Sequence, residues 1–180
     1  ERKKNIVQTL TQGIAGLFKK NKIEWLKGHG RFVSAYQIEV QPAGDESGES
    51  YQVTAKHIII ATGSVPMSIP PAQVDNELVV DSTGALAFTD VPRRLGVIGA
   101  GVIGLELGSV WNRLGSEVVI LEAMDEFLAP VDRQLANEAE KLLKKQGLDI
   151  RLGSKVTGTG CNNREVTITY ENDEGKQQVV

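Results

Sequence analysis

Gly99, Gly101 and Gly104 stand in the spacing G-x-G-x-x-G inside "LGVIGAGVIGLELGSVWNRLGSEVVILE", which closes on the carboxylate of Glu122. Glycines so spaced do no chemistry of their own; what they offer is bare backbone. The first permits a tight turn, the second lets amides approach a diphosphate without an intervening Cβ, and the third brings a helix close to a strand. Amides around Ala100, Gly101, Val102 and Ile103 would then face an anion at a new helix N-terminus, helped by the helix dipole. An acid about 20 residues beyond the motif can accept hydrogen bonds from the ribose hydroxyls of an adenosine. It would also repel a 2′-phosphate, and "EAMDEF" holds no arginine to offset that, so the pattern favours NAD over NADP.

In a chain with 19 glycines the triplet alone is weak. Its position, directly after an apolar strand and opening a periodic helix, is what raises it. Two other readings stay open at this point: glycines that only permit tight packing, and a methyltransferase-type glycine loop, which would also present an acid to an adenosine ribose.

Other reactive side chains are less organised. His29 and His57 have no partner nearby in sequence, and Cys161, in the turn-like "GTGCNNR", reads as an incidental thiol. "DSTGAL" at 81–86 suits the cap of a short helix, and "EFLAPVDR" suits a strand-to-helix loop. Glu106, by spacing alone, is a solvated helix residue, and the Lys and Glu run at 138–145 is a solvated helix face.

The elements that must position the motif follow from periodicity. Ile6, Leu10, Ile14, Leu17 and Phe18 predict an amphipathic helix over 3–20 that packs on a sheet. The stretch 23–63 predicts a β-meander with a polar loop at 42–50, ending in "HIIIATG", a continuous apolar run that fits a central strand buried on both faces. The prolines of "SVPMSIPPA" predict a linker. From 93 onward the rhythm is strand, helix, strand, helix, strand. The first helix should bury Ile103, Leu107, Val110, Trp111 and Leu114 and stop at Gly115. The second, capped by Asp132, should bury Leu135, Ala139, Leu142 and Leu143 and stop at Gly147. "KVTGTG", "REVTITY" and "KQQVV" then predict a second antiparallel set.

The fold class is therefore α/β: a Rossmann-like parallel βαβαβ unit carrying an antiparallel meander, preceded by part of another domain. The chain has 180 residues, 41% of them hydrophobic and 24% charged, enough apolar material for a core. A net charge of −3 gives no field to gather nucleic acid or anionic lipid. No apolar run is long enough to span a bilayer and no signal peptide is evident, so a cytoplasmic location is expected. The lone cysteine excludes a disulfide within these residues. The opening at Glu1 and the stop at "KQQVV" read as an excised piece of a longer protein.

"GAGVIGLELGSVWNRLGSEVVILE", with "HIIIATGSVP", "DSTGAL" and "GHGRF", resembles the flavoprotein pyridine nucleotide-disulfide oxidoreductases across essentially all 180 residues. The resemblance implies two dinucleotide cofactors, FAD and NAD. Residues 1–64 would be part of an FAD-binding domain, 65–89 a linker, and 90–180 an NAD-binding domain incomplete at its C-terminal end. It implies that Gly28 and Gly30, with Thr62, Gly63 and Ser64, meet FAD. Ile103 would lie near the nicotinamide, Glu106 would hydrogen-bond its carboxamide, and Val156 would lie against the NAD adenine. No C-x-x-x-x-C dithiol and no His-Glu base occur here, so no catalytic residue is expected among these positions.

The implied activity is NAD-linked oxidation of dihydrolipoamide, free or on the lipoyl domain of a 2-oxo acid dehydrogenase complex, by a homodimer. The alternatives are a soluble pyridine nucleotide transhydrogenase, another disulfide reductase of the family, or a catalytically inert NAD-binding module.

Overall fold

A computed structural model describes residues 2–44, 48–162 and 165–179. The chain divides into two compact units, Glu1–Gly63 and Ser64–Val180. Among the described residues no helix is long and apolar enough to cross a membrane.

The first unit opens with α1 (Arg2–Lys20), which ends on Lys19 and Lys20, where cations favour the helix dipole. Lys22 takes a left-handed φ of 55°, and the amide of Ile23 returns to the carbonyl of Phe18 at 2.9 Å. No residue of α1 is buried: Ile6, Val7, Leu10, Ile14 and Leu17 are all exposed, and Phe18 meets Trp25 edge-on at 5.5 Å. This corrects the expectation of a helix packed on a sheet. Helical spacing fixes which residues share a face, but not what covers that face.

Three antiparallel strands follow in the order β1 (Gly28–Ser34), β2 (Gln37–Pro42) and β3 (Tyr51–Thr54). Val40 of β2 is their buried residue. Of the expected loop at 42–50, residues 45–47 lie outside the described residues. "HIIIATG" is a second correction, because it forms no strand; Ile59 is 89% and Ile60 71% exposed. A buried central strand needs ladder partners on both edges, and no described strand pairs with this run.

In the second unit the proline-rich stretch holds no strand or helix before α2 (Ser82–Ala85), although Ala72 is buried and the Thr159 hydroxyl donates to the Pro71 carbonyl at 3.1 Å. Asp81 caps α2 by accepting from the Gly84 amide. A parallel sheet follows in the order β4 (Arg94–Ile98), β5 (Glu117–Leu121) and β6 (Asp149–Arg151), joined through α3 (Val102–Arg113) and α4 (Arg133–Lys145). An antiparallel sheet completes the unit: β7 (Lys155–Asn162), β8 (Glu165–Asn172) and β9 (Gly175–Val179). Arg164 and Val180, within the expected strands, lie outside the described residues. Cys161 sits in β7, not in a turn.

The strand period of two sorts β5 between two cores. Val118 and Ile120 join Leu105, Trp111, Phe127 and Ala136 on the helix side, while Leu121 joins Val156, Ile168 and Tyr170 on the side of the antiparallel sheet. Ile120 is wholly buried, and burial of such a side chain contributes about 1.5–3 kcal/mol.

Both crossover helices turn inward a face that only partly matches the one expected: Trp111, Ala139 and Leu143 meet the core as expected, and the others do not. In α3 the buried residues are Leu105, Gly108 and Trp111, leaving Ile103, Val110 and Leu114 exposed and Leu107 half-buried. In α4 Ala136 is buried and Ala139 and Leu143 pack against the same core, leaving Leu135 and Leu142 exposed. The reason is steric. Close packing on a sheet favours the face of small residues, and a Cβ at Gly108 would come within 3.2 Å of Ile120 Cδ1. The expected faces passed over Gly108 and Ala136, small residues that permit the closest approach. The expected stops hold: Gly115 and Gly147 carry φ of 110° and 104° just beyond the helix ends.

Candidate functional site

β4 ends at Ile98, and the chain turns within three residues into α3. Gly99 makes the turn with φ 100°, a region closed to most side chains, while its amide donates to the Leu121 carbonyl at 2.8 Å. Gly104 is required by close approach, since a Cβ there would collide with the carbonyl oxygen of Gly99. Gly101 is different. Its φ of −71° suits any residue, and an added Cβ would meet nothing within 4 Å. The fold does not need a glycine at 101; what its bareness leaves is open space before the helix.

Gly101 is the N-cap of α3 and makes no side-chain cap, whereas Asp81 and Asp132 cap α2 and α4. The first intrahelical bond runs from the Leu105 amide to the Gly101 carbonyl at 3.0 Å, so the Val102, Ile103 and Gly104 amides have no partner within the helix. Val102 and Ile103 are 58% and 60% exposed. An uncapped, accessible helix start carrying roughly half a positive charge suits an anion with several acceptor oxygens. The space that a side chain at 101 would fill is open.

Glu122 stands at the end of β5, beside this turn. Its amide donates to the Arg151 carbonyl at 2.9 Å, and its carbonyl accepts from Ser154 at 2.7 Å. The carboxylate bridges two backbone donors, Oε2 accepting from Ala100 at 2.8 Å and Oε1 from Met124 at 2.9 Å. A carboxylate has about four acceptor positions, so each oxygen keeps capacity for a ribose hydroxyl. The sheet does bring an arginine of distant sequence close in space, because Arg151 pairs in register with Leu121. Its charge is committed elsewhere: Asp149 holds it at 2.6 Å and the Tyr170 hydroxyl accepts from it at 2.7 Å. The Asp149 bond, with a smaller contribution from Tyr170, raises its pKa above the usual arginine value.

The remaining expected site residues are placed as follows. Glu106 is exposed on α3 one turn beyond the helix start. Val156 is only 9% exposed and packs with Leu121, Ile168 and Tyr170. Its side chain therefore faces that apolar cluster. Gly28 and Gly30 lie in β1, and at Gly28 a Cβ would strike the carbonyl oxygen of Gln41, so strand pairing alone explains that glycine. Thr62, Gly63 and Ser64 are exposed and irregular, Gly63 with φ 72°. His29 and His57 are exposed. The exposed thiol of Cys161 is 3.9 Å from the Asp75 carboxylate.

Sequence reasoning missed the Ala100 and Met124 amides as partners of Glu122, and no side-chain signal could have marked them. It also passed over Phe127, 1% exposed and the largest of the fully buried side chains. The lone aromatic of a charged loop was its available signal.

The family description "Pyridine nucleotide-disulphide oxidoreductase" matches residues 1–180. "Dihydrolipoyl dehydrogenase" of Cupriavidus necator is 50% identical over 182 residues, covering 100% of this chain and 37% of that protein. "Dihydrolipoyl dehydrogenase, mitochondrial" of Pisum sativum is 44% identical over 178 residues, covering 99% and 35%. The crystal structure of LpdA from Mycobacterium tuberculosis has the same fold, with a TM-score of 0.82 at 20% identity over 98% of this chain and 39% of that one. The chain thus spans a little over a third of the curated relatives it matches.

Proposed function

The chain belongs to the pyridine nucleotide-disulphide oxidoreductases, and from that premise we propose that its second unit binds NAD within a flavoprotein that oxidises dihydrolipoamide. The observation that carries the reading is the open N-terminus of α3 beside the carboxylate of Glu122. The amides of Val102, Ile103 and Gly104 would hold the diphosphate. Glu122 would accept the adenosine ribose hydroxyls and exclude a 2′-phosphate by like charge, which assigns the site to NAD rather than NADP. Ile103 and Glu106, exposed along the first turns of α3, are the residues we assign to the nicotinamide half.

When bound, NAD supplies the acceptor for a hydride, and FAD supplies the relay from a dithiol to that acceptor. This chain's residues bind and orient. The backbone loop fixes the diphosphate, the acid fixes the sugar, and the exposed start of α3 leaves room for the nicotinamide. Gly28, Gly30, Thr62, Gly63 and Ser64 are the positions we assign to FAD, on the family resemblance. The relatives' printed name supports dihydrolipoamide as substrate. A lipoyl domain as its carrier, a homodimeric state and a cytoplasmic location are part of the same proposal.

The test is made on the intact protein: dihydrolipoamide-dependent reduction of NAD and of NADP, with NADH and NADPH affinities measured by fluorescence quenching. NAD should be reduced, and NADPH should bind at least about tenfold more weakly than NADH. Equal affinity for both would remove Glu122 from the sugar, and NAD reduction that ignores dihydrolipoamide would remove the substrate assignment.

A further inference from the structure

Resting on the reading of residues 99–104 as the diphosphate loop, we infer that Glu122 is also a positioning residue for that loop. Its carboxylate straps the glycine turn in place, so the acid that selects the sugar also shapes the diphosphate cradle.

The strap is visible as two bonds from one side chain. Glu122 Oε2 accepts from the Ala100 amide at 2.8 Å and Oε1 accepts from the Met124 amide at 2.9 Å. Ala100 lies between the first two glycines of the turn and is 2% exposed. A buried amide without an acceptor is costly, and the described structure gives this one no acceptor but Glu122. The turn is therefore held by the N–H groups of two successive peptides, Gly99 donating to Leu121 and Ala100 donating to Glu122.

The two duties do not compete. Two of the carboxylate's acceptor positions serve the backbone, and about two remain for hydroxyls. A glutamine cannot reproduce this arrangement. Its single oxygen serves one amide, and its NH2 group then faces the other N–H, donor against donor. An aspartate keeps the charge but is one methylene too short to span both. If the acid served the sugar alone, the loop would be indifferent to either replacement.

The experiment uses the intact protein, wild type and Glu122→Gln, with two probes: NAD and the NAD analogue whose adenosine ribose lacks both the 2′- and 3′-hydroxyls. The analogue cannot report sugar contacts, so any loss of its affinity in the variant reports the loop. Glu122→Gln should bind the dideoxy analogue about tenfold or more weakly than wild type, the worth of one hydrogen bond to a charged acceptor. In the ligand-free variant, hydrogen exchange of the peptide containing Ala100 should be faster. Equal affinity of both proteins for the analogue, or unchanged exchange at Ala100, would overturn the inference. If Glu122→Gln does not accumulate as folded protein, Glu122→Asp supplies the same two comparisons with the same expected results. A wild-type protein that binds neither probe would overturn the dinucleotide reading instead, and the exchange comparison still decides the strap.

Discussion

Two helices, α3 and α4, leave the same parallel sheet and pack small residues against the same core, yet they begin in opposite ways. α4 is closed by its own sequence: Asp132 accepts from the amides of Gln134 and Leu135 at 3.0 and 3.2 Å. α3 begins at a bare Gly101 with no side-chain cap. Both starts carry the same orphan amides and the same dipole. A start capped by glycine forgoes only about a few tenths of a kcal/mol relative to a side-chain cap, and it leaves its amides open to water or a ligand. The acid beside it, Glu122, binds the turn before the helix through the Ala100 amide. On the proposed reading, a closed start serves the fold and an open one serves binding.

The sharpest way to break this contrast is at the packing contact beneath the open start. Gly104→Ala drives a Cβ into the Gly99 carbonyl and should destabilise the intact protein by about 2–3 kcal/mol, read as a lowered Tm together with lost NAD binding. An unchanged Tm would mean that helix and turn do not meet so closely. Gly101→Val separates fold from binding, because its backbone is ordinary and its Cβ enters open space. Stability should change by no more than about 1 kcal/mol, while NAD affinity falls about a hundredfold, as for two lost bonds to a charged group. Retained affinity would take the diphosphate away from this helix.

The reverse experiment is Asp132→Ala, which opens the closed start. It should cost about 1 kcal/mol of stability and leave the Kd for NAD unchanged; a change in that Kd would show the two starts to be coupled. The smallest effect concerns another closed site, the turn at Asp75, whose Oδ1 accepts from Glu77, Leu78 and Val79 at 2.8–2.9 Å. The amide of Glu77, then that of Val79, holds this carboxyl below its usual pKa of 3.8. A depressed folded pKa adds stability that is complete above the unfolded value and lost as pH falls through the folded one. Acid unfolding of wild type below about pH 4 should therefore be steeper than that of Asp75→Asn. Identical acid profiles would show that the turn's bonds contribute nothing.

Side-chain pattern made some of this legible and left the rest dark. Strand, turn and helix around 94–113 follow from apolar runs bounded by glycine, and the Asp132 cap and the stops at Gly115 and Gly147 follow from local chemistry. The inward faces of α3 and α4 were only partly legible: Trp111, Ala139 and Leu143 follow from helical spacing, whereas Gly108 and Ala136 pack by being small and were passed over. "HIIIATG" has the composition of a central strand but no described neighbour to pair with, and pairing is a property of the sheet. At the site, the open helix start and the acid beside it could be read from spacing. The strap from Glu122 to Ala100 and Met124 could not, since its donors are main-chain amides that no residue type announces.

The most direct test is a crystal structure of the intact protein with NAD. The diphosphate should lie within hydrogen-bonding distance of the Val102 and Ile103 amides, with the adenosine ribose hydroxyls on Glu122 and no ligand at the start of α4. A dinucleotide bound elsewhere, with the start of α3 open to solvent, would contradict the account.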